Sequence, residues 1–244
     1  METITSVEAL QRATSRGTRT RPVALPRLRA INVRKFIGDA EAKAIASALK
    51  RGSFPRLESI ELYNNYIHDD GAKALATALV RGTFPRLEVI DLYNNCIGDE
   101  GAKALALALE RGSFQALEWM DFGGNCIGSD GVGALASLLR HGHLPQLGRM
   151  DLHDNWIDPD NANVLLTTLQ QATLPSFGGM SICVDADGDV QRRLNNAITC
   201  ARQRGRMLLF LGAENVRCES QAKRFLAKDG DRAIACRTLR FMLP

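Results

Sequence analysis

A fixed period of 30 residues constrains this chain more than any other feature. Leu57 opens LESIELYNNYI, Leu87 opens LEVIDLYNNCI, Leu117 opens LEWMDFGGNCI and Leu147 opens LGRMDLHDNWI, each 30 residues after the one before. A helical phrase follows each of the first three: GAKALATALVRG from Gly71, GAKALALALERG from Gly101 and GVGALASLLRHG from Gly131. Self-similarity at this spacing specifies a solenoid, in which each turn buries its apolar face only against the turns beside it.

Each unit reads as a short strand and a helix. Ile60, Glu61 and Leu62 alternate with the two-residue period of a strand. Ala72, Leu75, Ala76 and Leu79 recur three and four apart, which marks one face of a helix. Gly82 stops that helix and Pro85 follows it. Phe54, Phe84 and Phe114, then Leu144, lead the chain back to the next strand. Parallel strands stack about 4.8 Å apart, whereas helices need roughly 10 Å. One of each per turn must bend the stack, with strands inside the curve. Asn65, Asn95, Asn125 and Asn155 stand where the chain leaves each strand. A buried amide there can bond the backbone of neighbouring turns.

The pattern L-x-x-I-x-L-x-x-N-x-I, with a full helix in a 30-residue unit, resembles the ribonuclease-inhibitor-like class of leucine-rich repeats over about residues 28 to 188. That class includes ribonuclease inhibitor, the Ran GTPase-activating proteins and the sensing arms of nucleotide-binding innate immune receptors. The resemblance implies an α/β right-handed horseshoe, a parallel concave sheet with convex helices. It also implies two functions: noncatalytic protein recognition as an adaptor, scaffold or inhibitor-like module, or GTPase-activating or GTPase-regulating activity. No activating residue of the second kind can be placed in this sequence.

Organisation follows from where the pattern fades. Residues 1–24 read as a basic, loosely ordered lead-in with two helical turns over Val7–Thr14. Residues 25–188 hold the repeats, the first (LRAINVRKFI, from Leu28) one residue short and lacking the Asn. Phe177, Met180 and Ile182 keep the frame of a sixth, with Asp185 in place of Asn. Residues 189–244 read as a degenerate last repeat around MLLFLG and a helical cap over an open sheet edge.

The net charge of +4 conceals a division: +6 over residues 1–36, −10 over 37–189 and +8 over 190–244. Six cysteines occur without metal-type spacing, and Cys96 and Cys126 share a repeat position. Reduced thiols of a cytosolic protein are expected there, with a disulfide as the alternative. No apolar run reaches membrane-spanning length and no signal-peptide core opens the chain. The expectation is a soluble cytoplasmic protein, the nucleus being the other compartment open to it.

What the strands point into the hollow is the most informative set. Glu58, Glu88 and Glu118 form one column, and Glu61, Asp91, Asp121 and Asp151 a second. Tyr63, Tyr93, Gly123 and His153 form a third, with Asp154 beside it. Trp119 stands in a fourth with Ser59 and Val89. Like charges opposite one another destabilise by roughly 0.2–1 kcal/mol a pair. Either these carboxylates were copied with the repeat and stay solvated, or they meet a partner with a basic surface. In the second case Tyr63, Tyr93 and Trp119 supply rigid aromatic contacts.

Other patterns carry less. Lys43, Lys73 and Lys103 share one helix position, and Arg51, Arg81, Arg111 and His141 another at the helix ends. Cations favour helix C-termini without any ligand. Asp121-Phe122-Gly123 spells a kinase triplet without the accompanying kinase motifs. Asp185, Asp187 and Asp189 lack the Glu that a calcium loop requires at its twelfth position. Asp151, His153 and Asp154 are close in sequence, but Asp151 and His153 are only a column pair of that face and not a metal site. Arg192, Arg193, Arg202, Arg204 and Arg206 lack stacking aromatics for nucleic acid. The sequence thus implies no enzyme, no cofactor and no metal. It implies a monomer whose basic end could attract another copy's acidic face in weak self-association.

Overall fold

The computed structural model describes residues 2–15, 23–34, 36–140, 144–157, 163, 165–167, 170, 181–183 and 192–201. Its strands are β1 (Glu2–Ile4), β2 (Val23–Ala24), β3 (Leu28–Asn32), β4 (Gly52–Ser53), β5 (Ser59–Glu61), β6 (Val89–Asp91), β7 (Trp119–Asp121), β8 (Arg149–Asp151) and β9 (Ser181–Cys183). Its helices are α1 (Val7–Thr14), α2 (Asp39–Arg51), α3 (Asp69–Arg81), α4 (Asp99–Arg111) and α5 (Ser129–Arg140). Residues 192–201 are also helical. Seven strands form one parallel sheet in the order β1-β3-β5-β6-β7-β8-β9, and β2 pairs with β4 separately. The fold is an α/β solenoid, each strand advancing the sheet by one position.

Strand register follows the period. Ile60, Ile90, Met120 and Met150 oppose one another, and so do Glu61, Asp91, Asp121 and Asp151. Leu57, Ile60, Leu62 and Ile67 from the strand side meet Ala72, Leu75, Ala76, Leu79 and Phe84 from the helix side, all buried. The Asn column is fully engaged. Asn95 Oδ1 accepts from the Ile67 N–H at 3.0 Å, while Nδ2 donates to the Leu62 and Leu92 carbonyls at 3.0 and 3.1 Å. Asn65, Asn125 and Asn155 repeat the arrangement.

Two features of the turns have causes that the repeat pattern alone does not reveal. Asp39, Asp69 and Asp99 each open one helix but cap the next. The Asp69 Oδ1 accepts from the Gly98 and Gly101 N–H groups at 2.8 and 2.9 Å, and the Asp99 Oδ1 from Gly128 and Gly131 at 2.8 Å. A carboxylate at a helix N-terminus satisfies orphan donors and complements the dipole. The helix-stop glycines act by size. Gly82 and Gly112 have extended backbones, φ −88° and −85°. A Cβ on either would lie 2.4 or 2.2 Å from the ring of Phe84 or Phe114.

The N-terminal segment is part of the stack. β1 pairs with β3 and α1, capped by Ser6, buries Val7 and Leu10. The loosely ordered lead-in expected over 1–24 is therefore partly a terminal strand and helix, too short to carry the repeat signature. In the sixth repeat Ile182 lies in register with Met150, and Leu194, Ala197, Ile198 and Ala201 are buried. His141, Asp185, Asp187, Asp189, MLLFLG and the expected cap lie outside the described residues. Among the described residues no helix is long and apolar enough to cross a membrane.

Candidate protein-binding face

Because strand side chains alternate, the residues between the core positions line the concave face. Glu58 is half-buried and pairs with Arg29 at 2.7 Å, while Glu88 and Glu118 are exposed. Glu61 accepts from the Asn32 amide and, at 2.8 Å, from the Ser59 hydroxyl. Asp91, Asp121 and Asp151 are only 9%, 7% and 2% exposed, which corrects the picture of solvated carboxylates. Each folds back on its own turn: one oxygen accepts from the backbone N–H two residues on, at Tyr93, Gly123 and His153 respectively.

The row is compensated at its ends and bare at its centre. Arg34 reaches within 4.0 Å of Glu61 and lies 4.3 Å over the Tyr63 ring. At the far end Arg149 holds Asp151 at 2.7 Å and sits 5.7 Å from the Trp119 ring centre. His153 also bonds Asp151 and stacks on Tyr93, ring centres 5.4 Å apart. Gly123 makes that stack feasible, since a Cβ there would lie 2.6 Å from the imidazole. Asp91 and Asp121 make no ion pair among the described residues.

The protonation equilibria record this asymmetry. Burial first, then the neighbouring Asp121 and Glu61 charges, push Asp91 up to about 6, against the Tyr93 N–H and Arg34. Burial and Asp151 likewise raise Asp121 above the usual carboxylate range. Desolvation is thus the larger penalty and like-charge repulsion the smaller, the reverse of the emphasis the sequence invites. Asp151 is equally desolvated in kind, but hydrogen bonds from His153 and Arg149 outweigh burial and hold it low. His153 is raised by its bond to Asp151.

Ligand atoms of Asp121, Asp151 and His153 lie within 4.8 Å of one another. The Arg149 guanidinium already occupies Asp151, which opposes a second cation there. Asp154 belongs to the turn. Its φ of 52° matches Asn64, Asn94 and Gly124 at the same repeat position, where left-handed backbone favours Asn, Asp and Gly. Phe122 of the kinase-like triplet is fully buried core. Cys96 and Cys126 carry free thiols.

Sequence reasoning missed Arg29, Arg34 and Arg149. Arg149 follows Ser59, Val89 and Trp119 in strict register, so extending the fourth column by one turn finds it. Arg34 precedes Tyr63 by 29 residues, where the period slips, and strict counting by 30 passes it over.

The leucine-rich-repeat family model matches residues 57–76, 86–106 and 120–136. Within residues 57–136 the chain carries leucine-rich repeats. No curated protein sequence matches it. Leiomodin-1 actin-binding site 2 is similar to this leucine-rich-repeat chain with a TM-score of 0.50 and 14% identity, over 78% of this chain and 94% of that one. The tropomodulin C-terminal domain of Caenorhabditis elegans gives 0.41 and 12%, over 87% and 100%. An internalin of Listeria monocytogenes gives 0.32 and 20%, over 68% and 52%. Likeness at such identities is likeness of fold. Leucine-rich repeats are protein-interaction modules, and their curvature creates extended binding surfaces.

Proposed function

We propose that the concave face receives a basic segment of a partner protein, as a noncatalytic recognition module of adaptor, scaffold or inhibitor-like type. One observation carries this reading: Asp91 and Asp121 are buried carboxylates at the centre of an in-register row that make no ion pair among the described residues, while Glu61 and Asp151 at its ends do. A buried charge without a partner is expensive. An incoming Lys or Arg supplies what the chain supplies to itself through Arg34 and Arg149. Tyr63, Tyr93 and Trp119 share this face, and the buried Trp119 indole N–H has no acceptor among the described residues. Exposed Glu88 and Glu118 add attraction at longer range.

Arg-rich, Lys-rich and Glu-rich peptides of equal length test this by fluorescence anisotropy over a salt series. The basic peptides bind, their affinity falls with salt, and Asp91→Asn with Asp121→Asn weakens them by about tenfold or more. Equal binding of acidic and basic peptides, or no effect of the double variant, contradicts the reading.

A further inference from the structure

The helices contain their own control. Each helix position recurs every 30 residues, so a departure from the shared pattern stands out. Ser47, Thr77 and Ser137 occupy one position and Lys50, Glu110 and Arg140 another. Leu107 interrupts the first series and Val80 the second, and they are 43% and 42% exposed. Copying of the repeat explains neither. They lie on adjacent helices, and both line one groove of about 560 Å³ between α3 and α4, over Ala76 and Ala104.

The two ends of that groove differ in charge. At the N-terminal ends of the helices the lysines are neutralised: Lys73 lies 3.8 Å from Glu100, and Lys103 lies 3.2 Å from Glu100 and 2.7 Å from Asp130. At the C-terminal ends Arg81 and Arg111 are exposed and pair with no carboxylate among the described residues. Lys50 stands close enough to Arg81 for its charge, after burial, to lower the Lys50 pKa. The groove is apolar in the middle, neutral at one end and cationic at the other.

We propose that the groove between α3 and α4 docks an amphipathic helix of a partner protein, its apolar stripe on Val80 and Leu107 and its acidic end on Arg81 and Arg111. Two parallel helices present the ridges into which a third packs, and recognition of this kind reads apolar residues at i, i+3 or i+4, and i+7. Acidic side chains favour the first turn of a helix. The incoming helix therefore runs antiparallel to α3 and α4, its N-terminus at the arginines. The chain's own residues 190–244, at +8, have the wrong sign for that end.

The test is a display library of stapled helical peptides, randomised along one face and at the first turn, selected on the full chain. Selected peptides carry an apolar stripe and Asp or Glu in the first turn. Val80→Lys with Leu107→Ser installs side chains of the kinds the repeat already uses at these positions, so melting is unchanged while binding falls about tenfold or more. Arg81→Glu with Arg111→Glu shifts selection to Lys or Arg in the first turn. The proposal is overturned if no peptide is selected, if the apolar-to-polar pair leaves binding intact, or if the first turn shows no preference for acidic residues. It is also overturned if sedimentation shows a dimer that the Val80/Leu107 pair abolishes, since the occupant is then a second copy.

Discussion

Two buried polar columns run along this solenoid four residues apart, and they have opposite characters. The Asn column has each amide bonded to three or more backbone groups in its own and the preceding turn. In the carboxylate column Asp91 and Asp121 each accept one backbone N–H, lie nine-tenths out of water and make no ion pair among the described residues. Both are copied with the repeat, so copying does not distinguish them. A saturated polar column holds neighbouring turns together. An unsaturated one lowers stability, and the concave reading assigns that loss to a partner's cation.

The largest effect should come from emptying the saturated column. Asn95→Ala strands the Ile67 N–H and leaves the Leu62 and Leu92 carbonyls with only the Asn65 and Asn125 amides, a loss of about 2–3 kcal/mol in urea denaturation. The same measurement on Asp91→Asn with Asp121→Asn should move the other way. An amide oxygen still accepts from Tyr93 and Gly123, and the buried charge is gone, so stability at pH 7 rises by about 1–3 kcal/mol. Equal signs for the two variants would erase the contrast between the columns.

Smaller effects locate the compensation. Arg149→Met removes the guanidinium from Asp151 and should destabilise by about 1–2 kcal/mol, because it leaves a buried carboxylate held by His153 alone. Asp69→Ala, away from both columns, should lose about 1 kcal/mol through the uncapped N–H groups of Gly98 and Gly101. Scanning calorimetry orders the two, and a loss at Asp69 matching that at Asn95 would contradict the weight placed on the Asn column.

How much could be read beforehand depends on which forces set each feature. Period fixed register, so the columns containing Glu61, Asp91, Asp121 and Asp151 could be counted off directly. Burial of Asp91 and Asp121 could not. Alternation assigns a face but not its depth, and three-residue strands on an inner curve crowd one column against the next. Arg34 escaped because the first unit is a residue short; the left-handed residue there is Phe36 at φ 51°, which stacks on Tyr66. β1 escaped because ETI is too brief to show a period and lacks the Asn that marks a turn, whereas the helical turns over Val7–Thr14 were legible and form α1. The Asp39, Asp69 and Asp99 caps escaped because their acceptor role crosses to the next helix, which no single-helix rule describes.

The row's central carboxylates can be observed individually by carbon-detected NMR titration of the side-chain carboxyls. Asp91 should titrate near 6 in the free chain. Because that value is raised above the unfolded one, the contribution of Asp91 to folding stability is fully present below about pH 4 and is lost as pH rises through 6. Adding a saturating Arg-rich peptide should drop the Asp91 midpoint back toward the ordinary carboxylate range, as a cation arrives beside it. An Asp91 midpoint already ordinary in the free chain, or one that the peptide leaves unmoved, would contradict the claim that this face is built around carboxylates awaiting a positive partner.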